Sequence, residues 1–194
     1  MTEQEELLKR ISKILIKLDI SYVVTGGVAV TVWGRPRFTA DIDLAIELVP
    51  SKLNRLAEEL LQIDKDVYVD KRMMERALER KGEFNFIHPV SGLKVDFWVL
   101  KGEPFDVEEM KRKIVKKIAG VDVFLISPED LILRKLLWYK ESESDRQSED
   151  IESIFKRQKK LDMRYIRKWA QKQSTFKILE NLLKKILRQN VRYS

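Results

Sequence analysis

Between Val23 and Ile46 the chain reads VVTGGVAVTVWGRPRFTADIDLAI, and no other stretch constrains its folding as strongly. An apolar run stops at Gly26-Gly27, a second apolar run follows, and a basic loop leads to two aspartates separated by one isoleucine. Residues 21–25 read as a short buried strand, Val28 to Trp33 as a short helix and 41–47 as a strand. On a strand, alternation places the carboxylates of Asp41 and Asp43 on one face and turns Ile42 and Leu44 toward a core. Two like charges so close need a neutralising cation or a wet site. Carboxylate oxygens are the donors Mg²⁺ favours, so the pair reads as a candidate metal site able to hold two divalent ions that bridge a triphosphate and an attacking oxygen.

Three further features extend this reading. In KVDFWV, Val95, Phe97 and Val99 share one face and Asp96 takes the other, so Asp96 is the candidate third acid, a metal ligand and general base. Gly26 and Gly27 lie between strand and helix, where a backbone without Cβ approaches phosphates closely. Gly34-Arg35-Pro36-Arg37 sets two guanidinium groups before the acids, suited to bidentate phosphate contacts, and Thr39 adds a hydroxyl.

The rest of the chain supplies scaffolding. Residues 3–19 are helical, as are 52–62 and 70–80, and 83–88 with 93–99 form a hairpin. Residues 113–118 and 121–126 read as a second strand pair, although their lysines also suit a helix. Ser127-Pro128-Glu129-Asp130 is a helix start, with Ser at the N-cap and acids at the positive end of the dipole. From there the pattern stays helical, with breaks near 142–145, 160 and 173. The expected organisation is an α+β body over 1–126 and a C-terminal helical section over 127–194, packed on it. The stripe Phe176, Leu179, Leu182, Leu183, Ile186 and Leu187 is expected to bury on the body or on a second subunit, as in a homodimer.

Charge separates the two parts. Residues 151–194 hold thirteen Lys or Arg against three acids, whereas the preceding 150 residues hold 25 basic and 28 acidic. A basic section on a near-neutral body suits an anionic partner such as RNA, and also suits solvated helix faces. The absence of cysteine excludes disulfide frameworks, thiol nucleophiles and cysteine-ligated metals. The single histidine, His88, precedes Pro89 in a turn and reads as a surface residue; alone it cannot build a histidine-rich metal cluster. Trp33, Trp98, Trp138 and Trp169 read as core or rim, with Trp98 on the Asp96 face and open to a place beside a nucleobase. Lys111, Arg112, Lys113, Lys116 and Lys117 read as a solvated edge that discourages strand addition. With no apolar run of about 18 residues and no signal peptide, a soluble, cytoplasmic protein without a membrane partner is expected.

The order of Gly26-Gly27 and then Asp41-Ile42-Asp43-Leu44 resembles the hG[GS]…Dh[DE]h signature of the polymerase β-like nucleotidyltransferase superfamily. Gly-Gly…Trp33-Gly34-Arg35-x-Arg37-x-Thr39-x-Asp41-Ile42-Asp43 is similar to its AbiEii-like, toxin-type branch. Ser127-Pro128-Glu129-Asp130-Leu131-Ile132 with Lys135-Leu136 resembles that branch's SPEDLIxxKL helix. Asp145-Arg146-Gln147-Ser148-Glu149-Asp150-Ile151 resembles its RDxxDI element with the first two residues exchanged. The resemblance implies a mixed β-sheet flanked by helices. It also implies that Asp41, Asp43 and Asp96 bind Mg²⁺, with Mn²⁺ as a substitute, and that Gly26 and Gly27 contact the triphosphate of an NTP. Lys135 would reach that triphosphate and Asp150 would support this end of the site.

The reading is then an enzyme that moves NMP from an NTP to a hydroxyl, on an RNA 3′ end such as that of tRNA or on a protein side chain. Two alternatives stand beside it. One is a non-catalytic nucleotide- or RNA-binding module, which the three acids disfavour; the other is a partner-dependent toxin–antitoxin component.

Overall fold

The computed structural model describes residues 2–192, with side chains described through Arg188. Its contacts divide the chain into two compact units, Met1–Val28 with Phe38–Ile126, and Ala29–Arg37 with Ser127–Ser194. The short segment 29–37 is thus grouped with the C-terminal helices and not with the sequence around it.

The first unit is built on a seven-stranded mixed sheet. Helix α1 (Glu3–Lys17) leads into β1 (Tyr22–Thr25), and α2 (Gly26–Trp33) begins in this unit. There follow β2 (Asp41–Ile46), α3 (Pro50–Leu61), β3 (Tyr68–Val69), α4 (Lys71–Arg80), β4 (Glu83–His88), β5 (Leu93–Val99), α5 (Pro104–Lys111), β6 (Ile114–Ile118) and β7 (Val121–Leu125). The spatial order is β3-β4-β5-β2-β1-β7-β6. β2 runs antiparallel to β1 and parallel to β5, and β1 is parallel to β7. β1 is central and buried along its whole length, as its uninterrupted apolar run requires. β2 alternates as expected, with Ile42 and Leu44 fully buried and Asp41 and Asp43 half-exposed. β4 and β5 form the expected hairpin, stacking Phe84 on Phe97 with ring centroids 4.7 Å apart. At the far edge, β6 pairs only with β7 and exposes Val115, Lys116 and Lys117, so Lys116 and Lys117 do mark a sheet edge.

Local chemistry sets the helix starts. Thr2 caps α1 through a reciprocal capping box with Glu5, and Asp70 caps α4 by accepting from Arg72 N and Met73 N. Leu7, Leu8, Ile11 and Leu15 form the buried stripe of α1.

Among the described residues, the second unit holds the remainder of α2, the loop to Arg37, and four helices. These are α6 (Pro128–Ser142), α7 (Asp145–Arg157), α8 (Met163–Lys172) and α9 (Phe176–Arg192). Ser127 caps α6, accepting from Asp130 N, and Pro128 opens the helix. The α9 stripe is covered inside this unit by α6, α7 and α8, with Leu179, Leu182 and Ile186 buried and Leu187 65% exposed. Among the described residues, no helix is long and apolar enough to cross a membrane.

Two expectations need adjustment. Helix α2 starts at the diglycine itself and not at Val28. His88 is half-buried: its Nδ1 lies 2.8 Å from Ser91 Oγ and its Nε2 is 3.8 Å from Asp64 Oδ2, because the hairpin turn folds Ser91 back onto the ring.

Candidate active site

Strand pairing gathers the acids. β2 and β5 run parallel with Asp43 opposite Asp96 and Asp41 opposite Lys94. Partners on adjacent strands, about 4.8 Å apart, present side chains on the same face. Asp41, Asp43 and Asp96 therefore share one face of the sheet, while Ile42, Val95 and Phe97 fill the other at full burial.

The diglycine is fitted to Asp43. Gly26 adopts φ +57°, a left-handed conformation that favours glycine, and a Cβ there would overlap the Asp43 carboxylate and lie 2.8 Å from its Cβ. A Cβ on Gly27 would overlap the Thr39 hydroxyl and lie 2.8 Å from the Thr39 Cβ. With both positions bare, the first amides of α2 come up to the acids, and Gly27 N donates to Asp43 Oδ2 at 3.4 Å. Thr39 is held nearby, its Oγ1 donating to Asp41 O at 3.3 Å. Six expected site residues, Gly26, Gly27, Thr39, Asp41, Asp43 and Asp96, thus come together in the first unit.

Two residues outside those expectations complete the group. Asn85, opposite Asp96 on β4, donates from Nδ2 to Asp96 Oδ1 at 3.2 Å. Lys94, two residues before Asp96 on the same face, sets Nζ 2.8 Å from Asp96 Oδ2. Asp96 is 8% exposed, and each of its oxygens has a partner. The hydrogen bond to Asp96 raises the Lys94 pKa above the usual lysine value against partial burial, and the charges of Asp96, Asp41 and Glu83 add to the rise. Lys94 stays an ammonium. Both residues were within reach of the sequence: alternation from Asp96 leads to Lys94, and symmetric pairing of the expected hairpin sets Asn85 against Asp96.

The donor set suits a hard divalent cation. Among the described residues, no group of three or more His, Asp or Glu side chains is gathered as a ready cage. Mg²⁺ does not require one, since it is commonly held by one or two carboxylates together with substrate phosphates and water. Asp41 and Asp43, with backbone amides beside them for phosphate oxygens, match that pattern.

The other four expected residues form a group of their own in the second unit. Asp150 is fully buried; its Oδ1 accepts from Arg37 Nε at 3.0 Å and its Oδ2 from Arg37 Nη2 at 3.1 Å. Lys135 Nζ lies 2.8 Å from Asp150 Oδ2 and donates to Gln147 Oε1 at 2.8 Å. Burial alone would raise the Asp150 pKa, but Lys135 and Arg37 outweigh it and hold the carboxyl below the usual aspartate value. Arg35 pairs with Glu149. Helix α7 also clamps the loop backbone, with Arg157 Nη1 donating to Gly34 O at 2.7 Å and Gln158 Nε2 to Trp33 O at 2.6 Å. A cavity of about 440 Å³ opens here beside Arg35, Glu149, Ser153 and Lys156. Both guanidinium groups expected to meet phosphate are therefore matched by carboxylates.

Sequence comparison matches no family model and no curated protein. Solved structures do match. An antigenic nucleotidyltransferase-like protein from Paracoccidioides brasiliensis aligns with 79% of this chain and 74% of its own at 22% identity, with a TM-score of 0.52. ANT(2″)-Ia, solved in complex with adenylyl-2″-tobramycin, aligns over 92% of this chain and 99% of its own at 15% identity, with a TM-score of 0.57. The lincosamide antibiotic adenylyltransferase LnuA, solved with lincomycin, aligns over 81% and 99% at 14% identity, with a TM-score of 0.53. The chain has the α+β fold of these nucleotidyltransferases, as its sequence motifs led one to expect.

Proposed function

We propose that this chain is a metal-dependent nucleotidyltransferase that transfers NMP from an NTP to a hydroxyl acceptor and releases pyrophosphate. The observation that carries the reading is the convergence of Asp41, Asp43 and Asp96 on one sheet face against a diglycine turn that has room for no side chain. Asp41 and Asp43 would hold a divalent cation, Mg²⁺ with Mn²⁺ as a substitute, which supplies Lewis-acid stabilisation of charge developing on the phosphates. The amides at Gly26 and Gly27 approach phosphate oxygens, and Thr39 offers a hydroxyl beside them. Asp96 accepts the proton of the acceptor hydroxyl. The freed oxygen attacks the α-phosphorus and the bond to pyrophosphate breaks. Positioning and preorganised charge lower the barrier.

Arg35, Arg37, Lys135 and Asp150 are assigned to nucleotide binding on the motif resemblance, and the Arg37–Asp150–Lys135 group supports this with a net charge of one cation. The SPEDLIxxKL helix and the WGRxRxTxDID string favour the AbiEii-like branch, whose members act with a cognate partner as toxin–antitoxin pairs. The adenylyl chemistry named for the structural neighbours favours ATP as donor. The basic C-terminal section favours an RNA 3′ end over a protein side chain as acceptor, with the work done in the cytoplasm where NTPs are made.

Incubating the chain with each α-labelled NTP, Mg²⁺ and either total RNA or lysate protein tests the assignment. Label should move to RNA, and Asp43→Asn should abolish transfer with the melting temperature nearly unchanged. Absence of transfer to any acceptor, or collapse of the fold in Asp43→Asn, would count against it.

A further inference from the structure

We propose that Lys94 takes the place of a second metal ion, so that this site works with a single divalent cation on Asp41 and Asp43. The proposal rests on the nucleotidyltransferase reading above and deepens it at the same site.

Three observations carry it. First, the Lys94 ammonium lies 2.8 Å from Asp96 Oδ2, the distance of a direct charge-assisted hydrogen bond. Second, the strand register sets Lys94 opposite Asp41 and alternation puts it on the same face as Asp96, so its side chain starts from a position adjacent to two of the acids. Third, Asn85 engages Asp96 Oδ1, so both oxygens of the third acid are already occupied by protein donors. A divalent ion shared between Asp43 and Asp96 would have to displace Lys94 or sit beside its charge. Asp96 is also nearly buried, where losing its partner would leave a carboxylate poorly compensated.

A lysine suits this part. Its ammonium is a compact point charge with three donors, closer to a metal ion in shape than a guanidinium is. It neutralises Asp96 while using one lone pair of Oδ2, and the second lone pair on that oxygen accepts the acceptor's proton. Lys94 touches Asp96 and not the reacting atoms, so it is a positioning residue.

The decisive measurement is a metal count. Full-length protein is dialysed to equilibrium against Mn²⁺ and saturating α,β-methylene-ATP, and bound manganese and nucleotide per chain are determined. Wild type and Lys94→Arg should hold one ion per bound nucleotide, and Lys94→Met should hold two. Lys94→Gln, closer in polarity, serves if the methionine variant melts far below wild type. Two ions in wild type, or one in both neutral variants, overturns the proposal. If no analogue binds to wild type, the nucleotide reading fails and the proposal falls with it. That outcome is distinguished by the nucleotide count, whereas failure of the Lys94 role alone leaves nucleotide binding intact.

Discussion

At the scale of single residues, the site is specified by what is missing as much as by what is present. Gly26 combines a positive φ with a position already filled by the Asp43 carboxylate. Gly26→Ala therefore meets two penalties, backbone strain and displacement of the acid, and should cost about 1–3 kcal/mol by chemical denaturation. It should also abolish nucleotide binding measured by calorimetry, since Asp43 cannot keep its place. Asp96 and Asn85 separate in a different way. Asp96→Asn removes the proton acceptor and should lower kcat by about 10²–10⁴-fold. Asn85→Ala frees one oxygen of that acid without removing it, and the loss should be nearer 10–100-fold. Equal losses in steady-state assays of the two variants would deny Asp96 the role of base.

At the scale of elements, the parts that could be read from sequence are those whose local pattern agrees with their tertiary use. The β4–β5 hairpin shows this, because Phe84 and Phe86 on β4 and Val95, Phe97 and Val99 on β5 take every second position and all five are buried. The acid face of β2 and β5 followed from the same rule. Helix α5 escaped it: the side it buries includes Asp106 and Glu109 beside Phe105 and Met110, so its apolar stripe is interrupted by charge. Asp106 earns that burial by accepting from the backbone amides of Lys101 and Glu103, which a periodicity argument does not see. β3 spans two residues, too short to show a period. The basic loop illustrates a different limit. Arg35 and Arg37 are visible as cations, but their carboxylate partners on α7 lie 114 and 113 residues away. A charge reads from sequence, whereas its compensation is a tertiary fact.

That compensation makes the loop–α7 junction an acid-sensitive element. Asp150 has a lowered pKa in the folded chain, so its ionised form stabilises the fold above the unfolded value of about 3.9. The contribution is lost as pH falls through the still lower native value. Wild type should therefore lose its advantage over Asp150→Asn from about pH 4 downward, when midpoints of urea unfolding are compared across pH. At neutral pH, Asp150→Ala removes the buried carboxylate that Arg37 and Lys135 share, and should cost about 3–5 kcal/mol.

At the scale of the whole molecule, charge is divided along the chain. The residues from Ile151 onward carry a net positive charge while those before them are slightly acidic overall. Part of the basic charge is used internally, as in Arg167–Glu180 and Lys185–Glu152. Lys159, Lys160, Arg164, Lys168, Lys177 and Lys184 are exposed on the second unit. Such a surface binds single-stranded polyanions by releasing counter-ions, so affinity should fall steeply with salt and depend little on base sequence. If six phosphates are neutralised, log K against log[salt] for oligo(U) should have a slope of about −4. Lys159→Glu with Lys160→Glu should flatten that slope and weaken binding, with the melting temperature and the metal count at Asp41 and Asp43 unchanged. A slope near zero in wild type would mean that these cations serve only to solvate helix faces, and the acceptor would then have to be sought among proteins.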